Sequence, residues 1–386
     1  MDRPRLRKVH RIREPHADGP RIVLYDPLGF ADEVAIDAVF EPILDRLDGT
    51  RTVRQIRQSL LMSDGPAIST EDLAAFVEDL SAAGLLDDET FRDRAAAAIA
   101  EFDAAPVRAP VAPGTVFPAD VGHLVRSLGR ILSQPPPRIE AGASTCAVVT
   151  PDLPPSAVAP LLDATVRALP ERDAVDLVVF LGTDPMPGHV PYTVCTKAYA
   201  TAVGTVPVSP LVDALLERVP EAGREELRHR RAHTVEIAAT YLAWVYGSAP
   251  PPALFVLVSR AAVEDQAARD RFLAALESVC AGRRPLLWGS CALSHTGPAY
   301  GVDVPADQAA RSDERMLEAL RTASPNRLAR AARRARPPSS GAGVLSTLLE
   351  LLPPGSTATA VDYRQVAPGH GIEGRVGAVG ARFASP

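Results

Sequence analysis

Apolar positions in the chain change their period near residue 145. From Arg21 to Phe91 a short apolar run, RIVLY, is followed by segments whose apolar residues recur three and four apart. These are Phe40, Ile43, Leu44 and Leu47, then Val53, Ile56 and Leu60, then the stretch DLAAFVEDLSAAGLL. That spacing predicts one strand followed by amphipathic helices. Asp48-Gly49 breaks the first helix, Thr52 opens the second, Ser69 with Asp72 three residues later reads as a capping box for the third, and Gly84 ends it. Residues 92–105 predict an Ala-rich connecting helix. The segment PVRAPVAPGTVFP, 106–118, is broken by prolines and cannot be a long helix, so by itself it reads as a linker. Asp120 then caps the amphipathic run PADVGHLVRSLGRIL, which QPPP closes.

From Thr145 onward, short runs rich in Val, Leu and Phe (TCAVVT, VDLVVFLG, PALFVLVS, RPLLWGSC) alternate with helical segments such as SAVAPLLDATVRALP and DRFLAALESVCAG. Continuous apolar runs with helices between them predict strands buried on both faces of a three-layer α/β sheet sandwich. Ligands in such folds sit beyond the carboxyl ends of the strands. Those ends carry Pro151-Asp152, Gly182 to Pro185, Ser259-Arg260 and Cys291 to His295.

Composition narrows the classes. The chain has 386 residues, with 46% hydrophobic and 23% charged, as expected for globular domains rather than disorder or a membrane fold. Its length favours two domains over one. No window nears the run of about 18 apolar residues that a spanning helix needs, and MDRPRLRKVHRIREPH has no apolar signal core, so a cytoplasmic protein is expected. The four cysteines show no CxxC spacing and read as reduced core thiols. A net charge of -6 gives no footprint for nucleic acid, and the basic patches Arg3 to Arg13 and Arg327 to Arg336 read as a solvated tail and a solvated helix face.

The strand ends hold few side chains capable of chemistry. Asp152 and Asp184, at what read as neighbouring strand ends, suit a hard metal or a general base, while each alone reads more plainly as a cap. His233 and Glu236, three apart at a helix start, share a face, as a metal ligand beside a carboxylate or a surface pair would. His295 stands in a Ser-His-Thr-Gly turn at a strand end, placed for chemistry as much as for packing. His123 and His370 have no evident partner, and His189 could reach the Asp184 loop. No Walker loop, GxSxG or HExxH occurs, and GHGIEG, 369–374, follows no strand that opens a βαβ unit, so it reads as a turn before a last strand.

Two resemblances sharpen this reading. The order of elements in 21–91, with LDGT, then TV, and a final GLL, resembles the small winged-helix domain of the PqqD-like type. From Val107 onward the chain resembles the Memo family, the protein B component of the AmmeMemoRadiSam system, whose fold is related to class III extradiol dioxygenases. The matching stretches, in order, are VRAPVAPGTVFPAD, VVFLGTD, KAYATAVGTVPV, AHTVEIAATYLAW, GSCALSHTGPAYG, SSGAGVLSTLLELL and TATAVDYRQ. The expected organisation is a winged-helix α+β domain at 1–91, a connecting helix at 92–105 and a Memo-like α/β domain at 106–386, so that the proline-rich linker becomes the opening of that domain.

The resemblance implies a pocket at His233, Glu236 and His295, with His233 and His295 as metal ligands beside Ser294. The family's two loop histidines are absent: Asp152 replaces one, and Pro185 stands in the slot of the other with Asp184 beside it, while Ala292 replaces an acidic residue. A set of Asp152, Asp184, His233, Ser294 and His295 could hold a divalent ion, iron, copper or a harder cation, carboxylates favouring the last. Three functions follow. The first placed is a degenerate metal pocket in a component that binds a peptide or protein partner, such as a radical SAM enzyme, with a peptide added to the strand edge of residues 21–25. Next is a metal-dependent oxidoreductase, with His233, Glu236 and His295 as its catalytic groups. DNA binding comes last, because DLAAFVEDLSAAGLL is acidic; neither nucleic acid nor membrane is an expected partner.

Overall fold

Backbone pairing near the start of the chain builds an antiparallel sheet of β1 (His10–Glu14), β2 (Arg21–Tyr25) and β3 (Val34–Asp37), with β2 in the middle. The computed structural model describes residues 3–14, 16–63, 65–131, 144–184, 186, 190–368 and 373–386. Contacts divide the chain into two compact units, one of Met1–Ala105 with Pro298–Gly301, the other of the remaining residues.

In the first unit the sheet is followed by α1 (Glu41–Leu44), α2 (Val53–Leu61), α3 (Thr70–Ala82) and α4 (Glu89–Ala104). Thr52 and Gln55 cap α2 reciprocally, and the Ser69 hydroxyl accepts the Asp72 N–H at 3.0 Å to open α3. Ile22, Leu24, Ile43, Ile56, Leu60, Leu73 and Leu80 form its core. Two expectations are corrected here. The basic stretch from Arg3 to Arg13 is not a solvated tail: its second half enters β1, and the Arg7 guanidinium lies 3.7 Å from the Phe91 ring centre while pairing with Asp26 at 3.0 Å. Nor is the edge of residues 21–25 open to a peptide, because β2 is paired on both sides.

The second unit begins with β4 (Val107–Arg108), α5 (Val121–Ile131), β5 (Ser144–Thr150), α6 (Pro155–Val166), β6 (Leu177–Thr183), β7 (Tyr192–Cys195), β8 (Ala198–Thr201) and β9 (Gly204–Val206). It continues through α7 (Leu211–Arg218), α8 (His233–Tyr246), β10 (Ala253–Val258), α9 (Ala261–Glu264), α10 (Gln266–Cys280), β11 (Pro285–Ser290) and β12 (Ala292–Thr296). It closes with α11 (Ala306–Arg321), α12 (Pro325–Arg334), α13 (Ala342–Leu351), β13 (Thr357–Val366) and β14 (Arg375–Ser385).

The main sheet runs β12-β14-β5-β11-β6-β10-β7, with β13 along β14. β5, β11, β6 and β10 are parallel, and β6 and β10 are buried at every position. Val149, Val179 and Leu181 face α10, α11 and α13 through Phe272, Leu276, Met316 and Leu345. Val148, Val178, Phe180 and Trp288 face α6 and α8 through Leu161, Leu162, Val235 and Leu242. Alternate residues of one strand thus serve two cores, which is why these runs are continuously apolar. Because β11 lies between β5 and β6, Asp152 and Asp184 do not end neighbouring strands, contrary to the order along the sequence.

Candidate functional site

The carboxyl ends of the parallel strands are tied to the first turn of α8. A Cβ on Gly182 would lie 2.4 Å from Val235 Cγ2 and 2.7 Å from Thr234 Oγ1, so only a bare backbone lets the helix sit there. The Thr234 hydroxyl donates to the Thr183 carbonyl at 2.8 Å, and the Ser290 hydroxyl donates to the Thr234 carbonyl at 2.6 Å. These bonds fix His233, the first residue of α8, at the strand ends. Its half-buried ring has no hydrogen-bond partner among the described residues, and burial, then the Arg108 charge, push its pKa down to about 4. It is a neutral imidazole at physiological pH.

Asp152 follows β5, and burial pushes its carboxyl up to about 7. The buried Cys291 thiol, just beyond β11, is raised by its own burial and by the Asp152 charge, so the two groups are neighbours. The chain leaves β5 for α6 on one face and, after β12, joins α11 on the other.

Three of the residues expected in the site are engaged elsewhere. Glu236, fully buried, pairs with Arg108 and accepts the N–H groups of Val111 at 2.8 Å and Ala112 at 3.0 Å. Arg108 also donates to the carbonyls of His229 at 2.8 Å and Ala232 at 2.6 Å, with its guanidinium 4.7 Å from the Tyr199 ring centre. This carboxylate therefore clamps the proline-rich opening segment onto α8, and the expected partnership with His233 is not formed. Asp184 accepts from Arg228 Nε at 2.7 Å and from the Met186 N–H at 3.0 Å; its pKa is raised by burial against the opposing Arg228 charge. Ser294 donates to Asp313 Oδ2 at 2.6 Å, and the Tyr363 hydroxyl donates to the same oxygen at 2.9 Å.

His295 is half-buried next to Ser294, and burial lowers its pKa. The pairing of β12 with β14 is irregular between Ala292 and His295, so strand alternation does not apply through Ser294. Among the described residues no three His, Cys, Asp or Glu side chains gather in a group that could hold a metal ion. As placed, the donor set expected from the sequence does not form a cage for iron or copper. Pro185, His189 and His370, and with His370 most of GHGIEG, lie outside the described residues.

A family model described as Memo-like protein matches residues 108–378. The chain belongs to the Memo-like family. The match starts on Arg108, the partner of Glu236, and ends within β14, leaving residues 1–107 outside it. No curated protein matches the chain closely enough to supply a relative.

Within the Memo-like region the structure adds residues that the sequence did not single out. His229 is fully buried; its Nε2 donates to the Thr193 carbonyl at 2.9 Å, and Nδ1 accepts from the Tyr199 hydroxyl. Burial pushes its pKa down to about 3. The signal available for Arg108 was a lone charge in an otherwise apolar, proline-rich stretch. A separate cleft of about 450 Å³ opens beyond β6 and β10, lined by Thr183, Asp184, Ser259, Arg260 and Ser339 among others. His233 and Asp152 do not line it.

Proposed function

We propose that this Memo-like protein is a binding component with a degenerate metal pocket, taking a peptide or protein partner and working beside a radical SAM enzyme. The observation that carries this reading is the engagement of the acidic donors: Glu236 is paired with Arg108 and Asp184 with Arg228. A carboxylate saturated by a guanidinium and backbone N–H groups is a poor ligand, since a metal would have to displace buried, charge-assisted bonds. The resemblance of residues 21–91 to PqqD-like domains, and of the Memo-like region to the AmmeMemoRadiSam protein B, supports the choice of partner. The physical mode is strand addition on the outer edge of β3, which has no partner strand among the described residues.

The test is elemental mass spectrometry on protein purified without chelators, beside a His233→Ala, His295→Ala double variant. Protein without stoichiometric metal, and a variant that still recovers the radical SAM enzyme in pull-downs, is the expected result. A near-stoichiometric ion lost in the variant would instead make the pocket a working metal site and favour the second reading, a metal-dependent oxidoreductase related to extradiol dioxygenases. That alternative is favoured by one observation, the unpaired, neutral ring of His233 at the strand ends.

A further inference from the structure

Helices α11 and α12 form an antiparallel-type hairpin joined by a three-residue turn, Thr322 to Ser324. Ala323 takes φ 44°, the Ser324 N–H donates to the Ala319 carbonyl at 2.9 Å, and the Ser324 hydroxyl caps α12 by accepting the Arg327 N–H. Leu328, Ala331 and Ala332 anchor α12 to the core, which turns its arginines outward. The two helices enclose a groove of about 620 Å³ in which Arg311 and Arg315 from α11 meet Arg327, Arg330 and Arg334 from α12.

Part of this charge is balanced locally. Arg311 pairs with Asp307, while Glu314 and Glu318, the acidic residues of the groove, are taken by Arg321, with Arg327 also 3.8 Å from Glu318. Arg315, Arg330 and Arg334 have no acidic partner among the described residues. Three exposed guanidiniums without an acidic partner thus line one groove from two helices, on a chain whose net charge is -6. Like charges held together raise the free energy of the empty groove, and an anion that enters it removes that repulsion.

We propose that this groove binds an acidic segment of a partner protein, with Arg315, Arg330 and Arg334 each taking a carboxylate. Guanidinium presents paired N–H donors that match carboxylate geometry. The lining favours a polypeptide over nucleic acid: no aromatic ring is present to stack a base, and Glu314 and Glu318 would repel a continuous phosphate backbone. The surface is independent of the β3 edge, so either can fail alone.

The test uses the full chain, a fluorescein-labelled octaglutamate peptide and anisotropy at low salt, with an oligothymidylate of equal charge as the competing probe. An Arg315→Glu, Arg330→Glu, Arg334→Glu variant, checked for an unchanged melting curve, should bind the peptide about tenfold or more weakly, and added salt should weaken the wild-type complex. Absence of peptide binding by the wild type, equal binding by the variant, or tighter binding of the oligothymidylate through the same arginines would each overturn the proposal. If the triple variant melts early, Arg330→Gln alone, which removes charge without reversing it, provides the same comparison.

Discussion

Glu236 and Arg108 lie 128 positions apart and are both inaccessible to solvent, and the pair decides how the opening of the Memo-like region meets α8. Removing one member of a buried pair strands the other, which costs about 3–5 kcal/mol. Glu236→Ala is therefore expected to lower the urea midpoint strongly, and Glu236→Gln less so because two backbone N–H groups keep an acceptor. A carboxylate serving only chemistry would leave the midpoint unchanged. His229 makes a second prediction. Its folded pKa, about 3, lies below the ordinary value near 6.5, so the fold favours the neutral ring. Its contribution is complete above about pH 6.5 and is lost as pH falls toward 3, by roughly 2–3 kcal/mol at about pH 4.5. Denaturant titrations at neutral pH and near pH 4.5 should show this loss in the wild type and a smaller one in His229→Gln. Asp152 titrates with the opposite sign: its raised pKa makes stability fall as pH rises from about 4 to 7, so the His229 term is read from the difference between variant and wild type.

At the scale of elements, the sequence located β5, β6, β10 and β11 because strands buried on both faces are apolar at every position, a signal that needs no partner. It located α3 through Ser69 and Asp72 because a cap is local. It missed β1, where HRIRE is charged and exposed on most positions and only pairing with β2 makes it a strand. The contact between β6 and α8 was also hidden, since a glycine in an apolar run reads as a weak strand residue. Gly182→Ala would drive a methyl group into Val235 and is expected to cost about 1–3 kcal/mol, seen as a lower melting temperature with His233 more exposed to chemical modification. An unchanged melting temperature would mean that α8 can shift without loss.

For the molecule as a whole, each unit has a core of its own: Ile22, Leu44, Ile56 and Leu73 in the first, the two faces of the main sheet in the second. A unit with its own core should fold alone. Residues 1–105 expressed by themselves are expected to show helical circular dichroism and cooperative melting, and a non-cooperative trace would mean that the first core needs residues beyond 105, Pro298–Gly301 of its own unit among them.

The sequence by itself determined the local and periodic facts: which runs are buried, where helices begin, the α/β class from Thr145 onward, and through ordered motifs the Memo-like resemblance that the family match over 108–378 shares. Only the tertiary structure decided the fate of the polar residues. Asp184 and Ser294 could each have been a ligand, and Glu236 a catalytic carboxylate, by type and by position, and each is instead held by Arg228, Asp313 or Arg108. Burial leaves a period in the sequence because it repeats with the geometry of an element. A hydrogen bond between residues far apart leaves none, because its partner is chosen by the packing of elements that only the folded chain brings together.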